Sequence, residues 1–190
     1  MKRLFLDTAN KYLYVAVMDD EKIILSHTQP GNNNHSETLI SVISDCFHKA
    51  SLKPDDIDEV YVGKGPGSYT GVRVACTVAK TFAYSKKIKL FSFSSLDLLY
   101  TTHLEDGQTL VKMDARRGFS YAKVFEKKQN IQVTLPETYI ETLELSLKYT
   151  KAFVITADSF EYHPELILKY GLYLEEDVFQ FEPTYLRSGV

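Results

Sequence analysis

Residues 58–73 read Asp58-Glu59-Val60-Tyr61-Val62-Gly63-Lys64-Gly65-Pro66-Gly67-Ser68-Tyr69-Thr70-Gly71-Val72-Arg73. The segment 58–62, rich in branched and aromatic residues, predicts a short strand, and it runs directly into a glycine-rich turn and a helix over about 72–85. Strand, turn and helix in that order predict a parallel crossover, so the chain is of the α/β class. Downstream, residues 90–93 predict a further strand, and Ser94 or Ser95 caps a helix through about residue 103.

Upstream, residues 3–7 predict a strand, 8–11 a polar turn, and 12–18 a second strand. Asp19-Asp20 turns into a third strand over 22–27, which makes a three-stranded antiparallel start. After a loop at 30–34, Asn34 and Glu37 form a capping pair for a helix to about residue 50. Its apolar stripe is Leu39, Ile40, Ile43, Cys46, Phe47 and Ala50.

A shift of 107 residues places Leu6-Asp7-Thr8 on Met113-Asp114-Ala115, Tyr12 on Phe119, Tyr14 on Tyr121, Val17 on Val124 and Met18 on Phe125. The shift keeps the period-two register, so each of these pairs is expected to hold the same strand face. Two lobes, 1–103 and 104–190, each opening with strand, Asp-containing turn and strand, predict a duplicated architecture resembling the actin, hexokinase and Hsp70 (ASKHA) superfold. Two unrelated hairpins of similar composition are the alternative.

Four of the nine glycines lie between Gly63 and Gly71, if Gly65 and Gly67 are counted with them. Such a loop either wraps an anion at the helix N-terminus or packs tightly on another backbone. A dinucleotide fingerprint is not met, because the glycine after Gly65 and Gly67 comes one residue late, at Gly71. A P-loop needs Gly-Lys-Ser or Gly-Lys-Thr, whereas this loop enters its helix with Thr70-Gly71-Val72. Ser68 has Pro66 and Thr70, not glycine, two residues to either side, so it is not at a nucleophile elbow. His27, His35, His48, His103 and His163 form no pair at helical metal-ligand spacing. Asp7 and Asp114 stand where that superfold places its magnesium-holding aspartates, but neither turn has a glycine in its first residues. No catalytic, cofactor or metal residue is therefore assigned.

The formal net charge of -3 and a pI near 6.0 argue against a protein that grips nucleic acid unaided. Lys86-Lys87-Lys89, Arg116-Arg117 and Lys127-Lys128 are local basic clusters that fit an auxiliary RNA contact or plain solvated turns. Cys46 and Cys76 lack metal or redox spacing and are expected as reduced core thiols. The apolar run at 4–6 is too short for a signal or membrane segment, so the expected location is the cytoplasm.

The segment from Gly65, Pro66, Gly67, Ser68, Tyr69, Thr70 and Gly71 to Arg73 resembles the signature of the TsaB (YeaZ) family, Gly-Pro-Gly-Ser-Phe-Thr-Gly-Leu-Arg. Leu6-Asp7-Thr8, His35-Ser36-Glu37, Ser94-Ser95-Leu96, Met113-Asp114-Ala115-Arg116 and Tyr185-Leu186-Arg187 resemble its other landmarks, in its order. Tyr69 replaces the usual phenylalanine. The resemblance implies a degenerate two-lobed fold without a working nucleotide site. The chain would be a non-catalytic subunit in tRNA threonylcarbamoyladenosine (t6A) modification that binds the catalytic paralogue TsaD. It further implies contact with the ATPase TsaE through the complex, tRNA only within the complex, a homodimer when alone, and no membrane. A sugar-kinase-like ATPase and a glycoprotease-type peptidase are the competing readings. Leu39, Ile43 and Phe47 on one helix, with Val72, Cys76, Ala79, Phe82 and Ala83 on the next, are the candidate partner surface, unless both stripes face their own sheet.

Overall fold

The computed structural model of the protein describes residues 1–31 and 35–186. The Asn34 cap and Arg187 lie outside the described residues, as do the side chains of His35, Ser36 and Glu37. The first sheet begins with β1 (Lys2–Asp7), β2 (Tyr12–Asp19) and β3 (Lys22–Pro30), paired antiparallel as expected. After α1 (His35–Lys49) come β4 (Glu59–Gly63), α2 (Tyr69–Lys86), β5 (Lys89–Phe93) and α3 (Ser95–Tyr100). β4 pairs parallel with β1 and with β5, which is the predicted crossover.

The second sheet contains β6 (Gly107–Asp114), β7 (Phe119–Lys127), β8 (Ile131–Glu141) and, after α4 (Thr142–Lys148), β9 (Phe153–Thr156). The last elements are α5 (Pro164–Lys169) and β10 (Leu174–Glu176). The strand orders are β10-β5-β4-β1-β2-β3 and β8-β7-β6-β9. Three antiparallel strands followed by a parallel one occur in both sheets, so the topology is duplicated. The tail does not stay with the second sheet, because β10 pairs antiparallel with β5.

The two hairpins are offset by one residue. Asp7 is opposite Tyr14, whereas Asp114 is opposite Ser120, so the offset is 107 on the first strand and 106 on the second. A slip of one residue turns a strand's side chains to the other face. Leu4, Leu6, Val15 and Val17 accordingly share the core beneath α1 and α2. Of the residues 107 further on, Val111 and Met113 join the core around α3, while Ala122 and Val124 pack with Leu145 of α4. On the second strand the expectation that each pair keeps its face holds, since Met18 and Phe125 both join the core around α3 and Val17 and Val124 both face helices; it is corrected on the first strand, where Leu6 and Met113 take different faces.

α1 lies over β2 and β3, and α2 over β4, β1 and β5. Leu96, Leu98, Leu99 and Tyr100 of α3 fill the layer between the sheets with Phe5, Tyr61 and Phe93 from one side and Val111, Phe125 and Ile155 from the other. α2 begins three residues before the predicted start because Ser68 supplies its cap, and α3 ends three residues early at Tyr100. Ile40, assigned to the apolar stripe of α1, is 57% exposed, and Val42 takes an inward place beside Leu39 and Ile43. No helix of the described residues is long and apolar enough to cross a membrane.

Candidate functional site

The glycine-rich loop leaves β4 at Gly63 and enters α2 at Tyr69. Ser68 is the N-cap, its Oγ accepting the Gly71 N–H at 3.3 Å, which gives this serine a local structural task. The loop rests on the turn between β1 and β2. Ser68 N–H donates to the Ala9 carbonyl at 2.6 Å, and Thr8 Oγ1 donates to the Gly71 carbonyl at 2.6 Å. A Cβ at Gly67 would come within 2.2 Å of the Ala9 carbonyl oxygen, and one at Gly71 within 2.0 Å of the Thr8 carbonyl oxygen. Of the two uses open to such a loop, these contacts are the second: glycine is needed here because one backbone lies directly on another.

Gly63 serves the same junction, since a Cβ there would meet Asp7 Oδ2 at 1.8 Å. The Asp7 carboxyl is 3% exposed and accepts from Ser95 Oγ at 2.6 Å and from Ala9 N–H at 2.8 Å. Burial pushes it up to about 6, with both hydrogen bonds opposing the rise. Its counterpart Asp114 is exposed and accepts the N–H of Arg116, in a turn where Arg116 and Arg117 both have positive φ. The two aspartates, equivalent in sequence, are thus placed in opposite environments. Both cysteines are buried and free, and burial raises the Cys76 thiol to about 12.

The C-terminal tail closes over the loop. The Thr184 N–H donates to the Lys64 carbonyl at 2.8 Å, and a Cβ at Gly65, where φ is +100°, would lie 2.9 Å from the Thr184 carbonyl oxygen. Lys64 Nζ is 2.6 Å from Glu176 Oε1, which also accepts from Ser92 Oγ. Beside these groups a cleft of about 330 Å³ separates the sheets, lined among others by Ser94, Asp97, Lys123 and Glu137. Asp97 on α3 and Lys123 on β7 form a buried ion pair across it, with Glu137 Oε1 3.8 Å from the ammonium. Burial drives the Asp97 carboxyl up, against the pull of Lys123. Sequence reasoning marked Ser95 and Tyr185 only as family landmarks and missed the contacts of Ser95 and the tail and the Asp97–Lys123 pair, because each joins distant segments.

The eight residues assigned to a partner surface lie elsewhere than expected. Leu39, Ile43, Phe47, Val72, Cys76, Ala79 and Ala83 are buried in the chain's own core, and Phe82 packs half-buried against it, its ring 6.1 Å from that of Phe47. The stripes face their own sheet because α1 and α2 are what covers the apolar side of β1, β2 and β4. The outward side of α2 instead carries Tyr69, Arg73, Thr77, Thr81 and Tyr84. Signature residues are split accordingly: Gly65, Pro66 and Gly71 are buried, Gly67 half-buried, and Ser68, Tyr69, Thr70 and Arg73 exposed.

The family model described as TsaD: tRNA N6-adenosine threonylcarbamoyltransferase matches residues 26–171. The protein TsaB of Bacillus subtilis, named for tRNA threonylcarbamoyladenosine biosynthesis, is 33% identical over 132 residues, which is 69% of this chain and 58% of that protein. The chain belongs to the TsaB (YeaZ) family. TsaB of Escherichia coli is 26% identical over 133 residues, 68% of this chain and 57% of that one. The matches thus span little more than half the length of these TsaB relatives. YeaZ from Pseudomonas aeruginosa has the same fold, with a TM-score of 0.80 at 19% identity, covering 97% of this chain and 99% of that one. The fold shared with YeaZ is a duplicated α/β architecture, seen here in the repeated strand order of the two sheets.

Proposed function

We propose that this chain is a non-catalytic partner subunit in tRNA threonylcarbamoyladenosine modification that binds and supports a catalytic relative of the TsaD kind. The observation that carries the reading is the junction between the signature loop and the first hairpin. The backbone of Thr8 and Ala9, where a nucleotide-using relative would need open space for phosphate, lies directly against Gly71 and Gly67, and the Asp7 carboxyl lies against Gly63. Asp7, which would have to face a hydrated cation in such an enzyme, is turned inward onto Ser95 and Ala9. Kinship to proteins named for this modification supplies the pathway.

In this reading the exposed side of α2 meets the catalytic relative, TsaE and tRNA join only through the assembled complex, and the work is done in the cytoplasm. The test is size-exclusion chromatography with light scattering on the chain alone and mixed with the TsaD-type protein of the same organism. A mixed complex of defined mass is expected. No association, with or without ATP and magnesium, would sink the proposal and bring the ATPase reading forward.

A further inference from the structure

The repeat of the two sheets breaks off on one side. In both, three antiparallel strands are followed by a helix and a parallel strand, β1-β2-β3-α1-β4 and β6-β7-β8-α4-β9. The first sheet then receives α2, which covers β4, and β5, which pairs beyond it. After β9 the chain leaves instead: α5 packs on α3 and β3, β10 joins β5, and Phe181 enters the core of the first sheet. Among the described residues, β9 is therefore an edge strand, and no helix takes the place over it that α2 takes over β4.

The burial of equivalent residues shows the result. Val60 of β4 is opposite Leu4, and Val154 of β9 is opposite Leu110, each on the side of its sheet that faces helices. Val60 is fully buried with Val72, Ala75 and Ala79 of α2, whereas Val154 is 42% exposed. α4 closes only part of this side, where its Leu145 is buried against Leu110, Ala122 and Val124. Leu143 and Leu147, one turn apart on another side of α4, are 68% and 71% exposed. The second sheet thus lacks one apolar helix face, and α4 has one to spare.

We infer that the occupant is a second copy of this chain, docked so that α4 of each copy lies over β9 of the other, with Leu143 and Leu147 on Val154. A sheet buries its apolar side under helices, and a reciprocal two-fold contact supplies the missing helix to both copies at once. The charges suit the same pairing. Glu141 and Glu144 lie at the start of α4 and Lys148 and Lys151 at and beyond its end, all four exposed. Two such helices running antiparallel set the carboxylates of each beside the ammonium groups of the other. Lys112, two residues on from Leu110 and on the same side, adds a cation, while Asp158 beyond β9 is already paired with Lys11. The surface is small, so association in the micromolar range is expected. It lies on the second lobe and leaves α2 free, so it is kept when a TsaD-type relative binds, unlike a homodimer that forms only when the chain is alone.

The experiment is sedimentation velocity on the full chain across the micromolar range, comparing the wild type with Leu143→Lys/Leu147→Lys, with Glu144→Lys, and with Glu144→Lys/Lys148→Glu. A reversible dimer is expected for the wild type. The double leucine variant is expected to lose it while melting with the wild type, because both side chains stand in solvent. Glu144→Lys is expected to weaken the dimer, and adding Lys148→Glu to restore it. A wild type that stays monomeric would overturn the inference and assign this face to another protein. A dimer that persists in the double leucine variant would overturn it too, by placing the contact elsewhere on the chain.

Discussion

Replacing Asp7 with asparagine tests whether the junction beneath the signature loop is structural. Among the described residues the carboxyl has two hydrogen-bond donors and no cationic side chain in ion-pair contact, and burial moves it from 3.8 to about 6. Each pH unit between those values is worth about 1.4 kcal/mol, so at neutral pH the ionised side chain costs the fold about 3 kcal/mol relative to the acid form. The sign follows from linkage: the folded state holds the proton more tightly than the unfolded chain. Stability from this group is therefore full below pH 3.8, is lost as pH rises to about 6, and is level above that. Asparagine keeps the shape and carries no charge. Its amide oxygen accepts from Ala9 N–H, and its amide nitrogen donates to Ser95 Oγ once the hydroxyl rotates. Asp7→Asn should raise stability at pH 7.5 by as much as about 3 kcal/mol and flatten the profile between pH 4 and 6. Urea unfolding at half-unit pH steps reads both effects. A variant clearly less stable than wild type at pH 7.5 would refute the reasoning, since it would mean that the fold needs the negative charge.

Two further perturbations address the same region. Gly71→Ala puts a methyl carbon 2.0 Å from the Thr8 carbonyl oxygen, and the gain of about 1 kcal/mol in helix propensity should be outweighed, leaving a net loss of about 2 kcal/mol or more; an unchanged denaturation midpoint would contradict the close packing. Lys123→Met strands the Asp97 carboxylate in the cleft and should cost about 3–5 kcal/mol, with most of it recovered when Asp97→Leu is added. A double-mutant cycle with no coupling between the two positions would show that the pair is not an interacting unit.

The first sheet and its helices were legible because their signals are local: period-two strands, a strand running into a glycine turn, and a serine before α3. Serine capping was expected at Ser94 or Ser95, and Ser94 is the cap, but not at Ser68, where the glycine density pointed to anion binding or close packing instead. The stripe on α1 and α2 was recognised as apolar but assigned outward, since a helical period cannot say which of two neighbours, sheet or partner, covers it. The hairpin repeat was real in topology and off by one in register. Residue types matched at a shift of 107, yet pairing is decided by the turn, and the second turn, with Arg116, Arg117 and Gly118 at positive φ, closes one residue sooner. Asp97 and Lys123 carry no mark in sequence, because their meeting depends on how α3 is clasped between the two sheets.

The return of the chain to β5 has a consequence for the order of synthesis. A ribosome delivers the first 100 residues well before residues 174–186, yet those late residues hold the edge of the first sheet and bring Phe181 into its core. Until they emerge, β5 has a bare edge and the core beneath α2 has a vacancy the size of a benzyl group. The first sheet therefore waits for residues 174–186, and the nascent protein reaches its final packing only after they have left the tunnel.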